Sequence, residues 1–145
     1  MPASDNPVTI GTASAEDVSD LVEFIQPFVE EGRLLPRTTR ELQELLPHGF
    51  VAHCDGQVVG FAALEIYSVK LAEIRSLAVS HDVQGQGVGR ELVSRCVERA
   101  RDEKILEVMA VTSTDEFFRS CGFDFTLPGE RKALFIQTLH GSSRD

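Results

Sequence analysis

Residues 84–90, Gln-Gly-Gln-Gly-Val-Gly-Arg, restrict the fold more than any other stretch of this sequence. Three glycines occupy alternate positions here, between the strand-like run LAEIRSLAVS and an amphipathic helical pattern over residues 88–103. A glycine costs about 0.5–1 kcal/mol relative to alanine inside a helix or a strand. The stretch therefore predicts either a flexible surface turn or a backbone that approaches a ligand too closely for a side chain.

The predicted helix start after these glycines suits an anion. The first amides of a helix have no partner within it, and the helix dipole adds about half a positive charge there. Alternate glycines also let successive amides curl around phosphate oxygens. The dinucleotide-binding pattern G-x-G-x-x-G fails because Arg90 stands in place of its third glycine, and the Gly-Lys-Ser/Thr end of a P-loop is missing.

Periodicity in the rest of the chain predicts an α/β or α+β domain. One helix is predicted from Ala15, kinked or shortened by Pro27, and a second begins at Thr38 or Thr39. Asp55-Gly56 predicts a hairpin turn. Further strands are predicted at residues 5–11, 105–113, 123–127 and 133–139, and a short helix at 114–122. The order β-α-α-β-β-β-α-β-α-β-β implies a sheet with antiparallel and parallel pairs.

The strand before the glycines shows strict alternation. One predicted face carries Leu71, Glu73, Arg75, Leu77 and Val79, and the other carries Ala72, Ile74, Ser76 and Ala78. The pattern therefore predicts Glu73 and Arg75 side by side.

The composition is that of one globular domain, expected over residues 1–140, with a disordered tail at 141–145. The formal net charge of −9 argues against a nucleic acid or an anionic membrane as a partner. The three cysteines fit no metal-ligand spacing, so we expect free thiols and no metal. No signal-peptide pattern or membrane span is visible, and we expect a cytoplasmic protein.

The glycine stretch fits the pattern Q-x-x-G-x-G, and with "FFRSCGF" about 30 residues later it resembles the GNAT superfamily of N-acetyltransferases. The resemblance implies the GNAT fold, a mixed, mostly antiparallel sheet of six or seven strands with splayed central strands, flanked by about four helices. It also implies acetyl-CoA as co-substrate, its pyrophosphate on the glycine loop and its pantetheine arm along the preceding strand. The cofactor-binding residues implied are Leu77, Ala78, Val79, Gln84, Gly85, Gln86, Gly87, Val88, Gly89 and Arg90.

A narrower resemblance concerns the acceptor. The segments GRLLPRTTRELQELLPHGFVA and AEIRSLAVS look like the acetyltransferase domain of N-acetylglutamate synthases and their short stand-alone relatives. The resemblance implies that Arg37 binds a substrate carboxylate, with Arg33, Arg40 and Arg75 as weaker candidates. Arginine does pair bidentately with carboxylates. For Arg33 and Arg40, a solvated helix face or pairing with glutamate is the alternative interpretation.

The candidate base is Glu73, whose place before the glycine loop matches the catalytic glutamate of the histone acetyltransferase branch. An ion pair with Arg75 would make it a structural residue instead. Many superfamily members protonate the leaving thiolate with a tyrosine at the position of Phe118, which has no hydroxyl. Tyr67, the only tyrosine, is a candidate for lining the acceptor site or for packing at its rim.

These features predict an acetyl-CoA-dependent N-acetyltransferase whose acceptor is a small, acidic, glutamate-like amino acid attacked in a ternary complex. Two alternatives remain open. One is a related enzyme for another amine, such as a protein N-terminus, a lysine or a polyamine. The other is a non-catalytic regulator that binds acetyl-CoA. The sequence also leaves a homodimer open.

Overall fold

The computed structural model describes residues 6–125 and the single residues Leu134, Ile136 and Thr138. Nine helices and strands lie in this described part of the chain. In chain order they are β1 (Thr9–Thr12), α1 (Val18–Glu30), α2 (Thr39–Leu45), β2 (Gly49–Cys54), β3 (Gln57–Ser68), β4 (Leu71–Val79), α3 (Val88–Asp102), β5 (Glu107–Met109) and α4 (Asp115–Ser120). Short 3-10 turns lie at Ala15–Asp17, Leu46–His48 and His81–Val83.

The sheet has the order β1-β2-β3-β4-β5. Its first three pairings are antiparallel, and β4 with β5 is parallel. The predicted mixed, mostly antiparallel sheet is therefore confirmed. The described residues form five strands, fewer than the six or seven predicted. The two closing strands predicted at 123–127 and 133–139 fall mostly outside the described residues, and their described positions belong to no strand.

Helices cover both faces of the sheet. On one face α1 and α2 pack through Leu21, Ile25 and Leu42 against Phe61 and neighbouring β2 and β3 residues. On the other face α3 buries Leu92, Val93 and Cys96 against side chains of β2 to β4, among them Ala52, Leu64 and Ile74. No helix among the described residues is long and apolar enough to cross a membrane.

Local sequence signals explain the helix ends. Thr38 begins α2 with a capping box, because its hydroxyl accepts the Glu41 N–H while the Glu41 carboxylate accepts the Thr38 N–H. Pro27 lies inside α1, which ends at Glu30, so the predicted shortening amounts to an end within one turn of the proline. The hairpin at Asp55-Gly56 is confirmed by the pairing of Cys54 with Gln57.

A β-bulge in β4 overturns the predicted strict alternation. Phe61 pairs with Ala78 and Ala63 with Arg75, so three steps along β4 face two along β3, and Ser76 adopts a φ of +58°. The extra residue turns Leu77 and Val79 to the α3 face beside Ala72 and Ile74. Glu73 and Arg75 remain on one face, as predicted, but Leu77 and Val79 do not share it.

Candidate active site

A cleft opens where β4 and β5 part. Their parallel pairing runs from Leu71–Glu107 to Glu73–Met109 and ends there, although β4 continues to Val79. The main chain of β4 beyond Glu73 thus has no strand on that side among the described residues. The opening, here called the splay cleft, has a volume of about 630 Å³. Nine of the ten predicted cofactor-binding residues line it, namely Leu77, Ala78, Val79, Gln84, Gly85, Gly87, Val88, Gly89 and Arg90. Gln86 does not.

The glycine loop, residues 84–90, forms one end of the splay cleft. Gly85 and Gly87 have φ values of +84° and +78°, a left-handed conformation that other residues rarely adopt. Gly87 is the N-cap of α3, so the amides of Val88, Gly89 and Arg90 form the free first turn of a 15-residue helix. The first turn of α3 therefore presents N–H groups that the helix leaves unpaired, and the positive end of the helix dipole, to the cleft.

The wall opposite β4 comes from α4 and the segment before it. Phe117 and Phe118 line the cleft, and a side chain at Gly89 would meet the Phe117 ring at 3.3 Å. Thr112 and Thr114 also line it, with their hydroxyl oxygens 2.9 Å apart. Sequence reasoning missed these two hydroxyls, because isolated threonines in a turn carry no motif. The only available signal was that they directly precede the helix containing Phe118.

The far end of the splay cleft lies on the opposite face of the sheet. Phe28, Gly32, Arg33 and Leu34, from the connection between α1 and α2, line it there. Arg33 is half exposed, lies 3.6 Å from Glu31 and stacks over the Phe28 ring. The cleft consequently runs from the α3 face, through the gap between β4 and β5, to the α1 and α2 face.

Four polar side chains on β3 and β4 form a compact cluster, here called the Glu73 cluster. The Tyr67 hydroxyl donates to Glu73 Oε1 at 2.6 Å, and Arg75 Nη1 donates to Glu65 Oε1 at 2.9 Å. Arg75 Nη1 also lies 3.2 Å from the Tyr67 oxygen and 3.5 Å from Glu73 Oε1. Glu65 and Glu73 are direct cross-strand partners. The structure thus brings together three predicted site residues, Tyr67, Glu73 and Arg75, and adds Glu65, which sequence reasoning missed.

The Glu73 cluster combines charged side chains with low solvent exposure. Glu73 is the only buried polar or charged residue among those described, with 8% of its surface exposed. Burial and the hydrogen bond to Glu73 raise the pKa of Tyr67 to about 12, so its hydroxyl stays a donor at neutral pH. Burial lowers the pKa of Arg75, but the charge of Glu73 and the contact with Tyr67 outweigh it and raise that pKa above its ordinary value.

Arg37 lies beside a second cavity of about 280 Å³, here called the Arg37 cavity. It is lined by Arg37, Glu41, Glu44, Leu45, His48, Leu64, Glu65 and Ile66. Only 11% of the Arg37 side chain is exposed, and its Nε is buried without a hydrogen-bond partner. Its Nη1 lies 3.7 Å from Glu41, whose pKa is lowered by hydrogen bonds from Thr38. A buried guanidinium N–H that has no acceptor costs free energy, unless a ligand accepts its hydrogen bond.

Two of the three weaker arginine candidates, Arg33 and Arg40, differ from Arg37. Arg40 is 88% exposed at its side chain and pairs with Glu44 at 3.5 Å, one helical turn away. Arg33 pairs with Glu31. Both fit the alternative interpretation of a solvated arginine paired with glutamate.

The other side chains that could bind a metal ion do not lie together in the described part of the chain. The described residues contain no group of three or more His, Cys, Asp or Glu side chains that could hold a metal ion. Arg99 donates to the His48 ring at 3.1 Å, and His53 lies 3.5 Å from Asp17. These histidines therefore have local structural partners.

A comparison with known families identifies the fold. The sequence profile of the acetyltransferase (GNAT) family matches residues 15–123, a range that contains every element from α1 to α4. The chain belongs to this family. It is thus an acetyltransferase, and enzymes of its family use acetyl-CoA.

Two proteins of known sequence show clear similarity to the acetyltransferase. An uncharacterized N-acetyltransferase of Chlorobaculum tepidum is 37% identical over 123 residues, which cover 85% of this chain and 78% of the relative. An amino-acid acetyltransferase of Ralstonia nicotianae is 32% identical over 85% of this chain and 29% of the relative.

A solved structure resembles the acetyltransferase in three dimensions. N-acetylglutamate synthase of Neisseria gonorrhoeae, in complex with coenzyme A and N-acetyl-glutamate, matches with a TM-score of 0.72 and 30% identity, over 81% of this chain and 28% of the synthase. The acetyltransferase therefore spans less than a third of the synthase and of the Ralstonia relative.

The predicted site residues of the acetyltransferase fall into three neighbouring places. Nine of the ten cofactor-binding candidates line the splay cleft, Arg37 lines the Arg37 cavity, and Tyr67, Glu73 and Arg75 form the cluster on β3 and β4. Glu65 belongs to that cluster and also lines the Arg37 cavity. Ile74 and Ser76, on either side of Arg75 in the chain, line the splay cleft. The roles of these residues remain predictions.

Proposed function

We propose that this acetyltransferase transfers acetyl from acetyl-CoA to the amine of a small, acidic, glutamate-like amino acid. The observation that carries the proposal is Arg37, a nearly buried guanidinium whose Nε has no hydrogen-bond partner. A substrate carboxylate would supply that partner and pair with the guanidinium fork. The amino-acid acetyltransferase of Ralstonia and the synthase solved with N-acetyl-glutamate support the same class of acceptor.

The charges around the Arg37 cavity are balanced, which favours an acceptor with charges of both signs. Each of its three glutamates has a cationic neighbour: Glu41 has Arg37, Glu44 has Arg40 and Glu65 has Arg75. A cationic acceptor would therefore meet carboxylates that are already paired. An amino acid can place a carboxylate on Arg37 and its amine toward Glu65 and Glu73.

The splay cleft is suited to acetyl-CoA. The amides of the glycine loop and of the first turn of α3 would hold the pyrophosphate. Leu77, Ala78 and Val79 would give main-chain hydrogen bonds to the pantetheine arm, as an added strand does at a free sheet edge. Ser76, the residue at the bulge, lines the cleft, and a main-chain amide of this segment would stabilise the oxyanion that forms on the thioester carbonyl.

In this scheme, one group removes a proton from the acceptor and another assists the departing thiolate. Glu73 would take a proton from the acceptor ammonium, and the neutral amine so formed would attack the thioester carbonyl directly. Phe118 lines the cleft and cannot protonate the departing thiolate. The hydroxyl pair of Thr112 and Thr114 lines the same cleft and would donate a hydrogen bond to that sulfur.

One observation favours a second candidate, a cationic acceptor such as a polyamine or a lysine. The chain carries a net charge of −9, which attracts cations from a distance. This long-range field increases the rate at which a cation reaches the protein, but the carboxylates of the Arg37 cavity are already paired. We therefore rank a cationic acceptor second.

A thiol-release assay with acetyl-CoA over a panel of amines tests the proposal. The panel contains glutamate, aspartate, glutamine, lysine, a short peptide with a free N-terminus and spermidine. We expect the highest kcat/KM with glutamate or another acidic amino acid. Turnover of spermidine or the peptide without turnover of any acidic amino acid would overturn the proposed acceptor.

A further inference from the structure

The Glu73 cluster contains an arrangement that needs its own explanation. Glu65 and Glu73 are direct cross-strand partners on β3 and β4, and both carboxylates face the same side of the sheet. Like charges directly opposite each other repel across a pair of strands. Glu73 is also buried, which makes an ionised carboxylate there costly unless a cation accompanies it.

Arg75 is the cation that meets both carboxylates, so the ion pair named above as the alternative to a catalytic Glu73 is present. Its Nη1 lies 2.9 Å from Glu65 Oε1 and 3.5 Å from Glu73 Oε1, and the Arg75 side chain is only 20% exposed. The Tyr67 hydroxyl completes the arrangement with its 2.6 Å bond to Glu73. The Nη1 group of Arg75 is thus used within the protein, which disfavours its predicted role in binding a substrate carboxylate.

We propose that Arg75 is a positioning residue that keeps the facing carboxylates of Glu65 and Glu73 ionised together, so that Glu73 is available as the base. The proposal rests on the proposed function of Glu73 in proton removal. Without the guanidinium, the pair would relieve its repulsion by binding a proton. A protonated Glu73 cannot accept a proton from the acceptor amine.

Among the described residues, three ionisable side chains contact or directly oppose Glu73. From β3 these are Glu65 and Tyr67, and from β4 Arg75. Glu65 also lines the Arg37 cavity, together with the ionisable groups of Arg37, Glu41, Glu44 and His48. The four groups of the cavity are unchanged in the variants below, so differences among those variants report on the Glu73 cluster.

The test compares pH profiles of kcat and kcat/KM, using the amine that the wild-type enzyme acetylates best. Arg75→Gln should move the acid limb of both profiles up by about one pH unit or more, the usual effect of losing a cation beside a carboxylate, so kcat should fall most on the acid side of neutral pH. Adding Glu65→Gln should bring the acid limb of the double variant back toward that of the wild type, because the repelling charge is gone. Arg75→Lys should restore part of kcat.

The controls separate this proposal from its alternatives. Arg95→Gln removes an arginine from an exposed pair with Glu91 on α3 and should leave the profile unchanged. Unfolding midpoints show which variants fold; if Arg75→Gln does not, Glu65→Gln alone must leave the acid limb in place or move it to lower pH. Movement to higher pH would overturn the proposal.

Two further outcomes distinguish a failure of this proposal from a failure of the proposed function. If Glu73→Gln keeps wild-type activity, Glu73 is not the base, and both are wrong. If Glu73→Gln is inactive while Arg75→Gln raises only the KM for the acceptor and Glu65→Gln rescues nothing, Arg75 binds substrate and only the positioning role is overturned.

Discussion

Glu73 and Met109 form the last pair of the parallel ladder between β4 and β5. The residue at which the sheet opens is therefore also the candidate base. The side chain of Glu73 lies on the α1 and α2 face, and the main chain of the residues that follow it borders the splay cleft. A donor in the cleft and an acceptor on the other face would meet at this point, because the gap in the sheet connects the two sides here.

Gly87→Glu should abolish acetyl-CoA binding. The new carboxylate would lie at the N-cap of α3, where it would compete with phosphate for the free amides and repel it. We expect the Kd measured by calorimetry to rise by more than about 100-fold, about 2.7 kcal/mol.

Gly56→Glu is the matched control for this variant. Gly56 has a φ of +76°, close to that of Gly87, but lies in the hairpin between β2 and β3, away from the cleft. Both substitutions should lower the free energy of unfolding by about 1 kcal/mol. Retained binding by Gly87→Glu, or equal loss in both variants, would contradict the assignment of the phosphate loop.

Glu73→Gln should lower kcat by roughly 10²–10⁴-fold, the usual contribution of a general base. The affinity for acetyl-CoA should change little, because the proposed contacts with the cofactor come from the glycine loop and the main chain of residues 77–79 and not from this side chain. Steady-state kinetics and calorimetry measure the two quantities. Glu98→Gln, on the exposed side of α3, should leave both as in the wild type.

Arg37→Ala should raise the KM for an acidic amino acid by about 10- to 100-fold, which corresponds to the 1.5–3 kcal/mol of a hydrogen bond to a charged group. The Kd for acetyl-CoA should stay unchanged. Arg40→Ala provides the comparison, since Arg40 lies three residues away in the first turn of α2 and is exposed. An equal effect of both variants would argue against a carboxylate site at Arg37.

Cys96 should make stability depend on pH in the alkaline range. Burial raises the pKa of its thiol from 9.0 to about 12. The unfolded chain releases this proton first, so the contribution is fully present below about pH 9 and is lost as pH rises toward 12. Urea unfolding between pH 9 and 11 should therefore show a steeper loss of stability for the wild type than for Cys96→Ala. Parallel curves would contradict a buried, protonated thiol.

The comparison of sequence and structure is most instructive at β4. The alternation of residues 71–79 predicted the strand and the common face of Glu73 and Arg75, because side chains alternate in any regular strand. It assigned Leu77 and Val79 to the wrong face, because a bulge arises from how β4 pairs with β3. The pattern within one strand contains no information about the count of residues on its neighbour.

The residues proposed to bind the acceptor were likewise only partly predictable from the sequence. The motif around Arg37 singled out that residue, but its burial and its unpaired Nε depend on packing against β3. Glu65 carried no motif at all. Its importance comes from the antiparallel register that places it opposite Glu73, eight positions further along the chain.

The sequence by itself determined the elements that depend on neighbouring residues, which are the glycine loop, the helix that follows it, the hairpin and the capping box of α2. These features need only local backbone geometry, so their residue types reveal them. Tertiary structure alone decided where β4 and β5 part, which face each β4 side chain takes after Arg75, and which carboxylates share the Arg75 guanidinium. Strand register and burial decide these, and both arise from contacts between residues far apart in the chain.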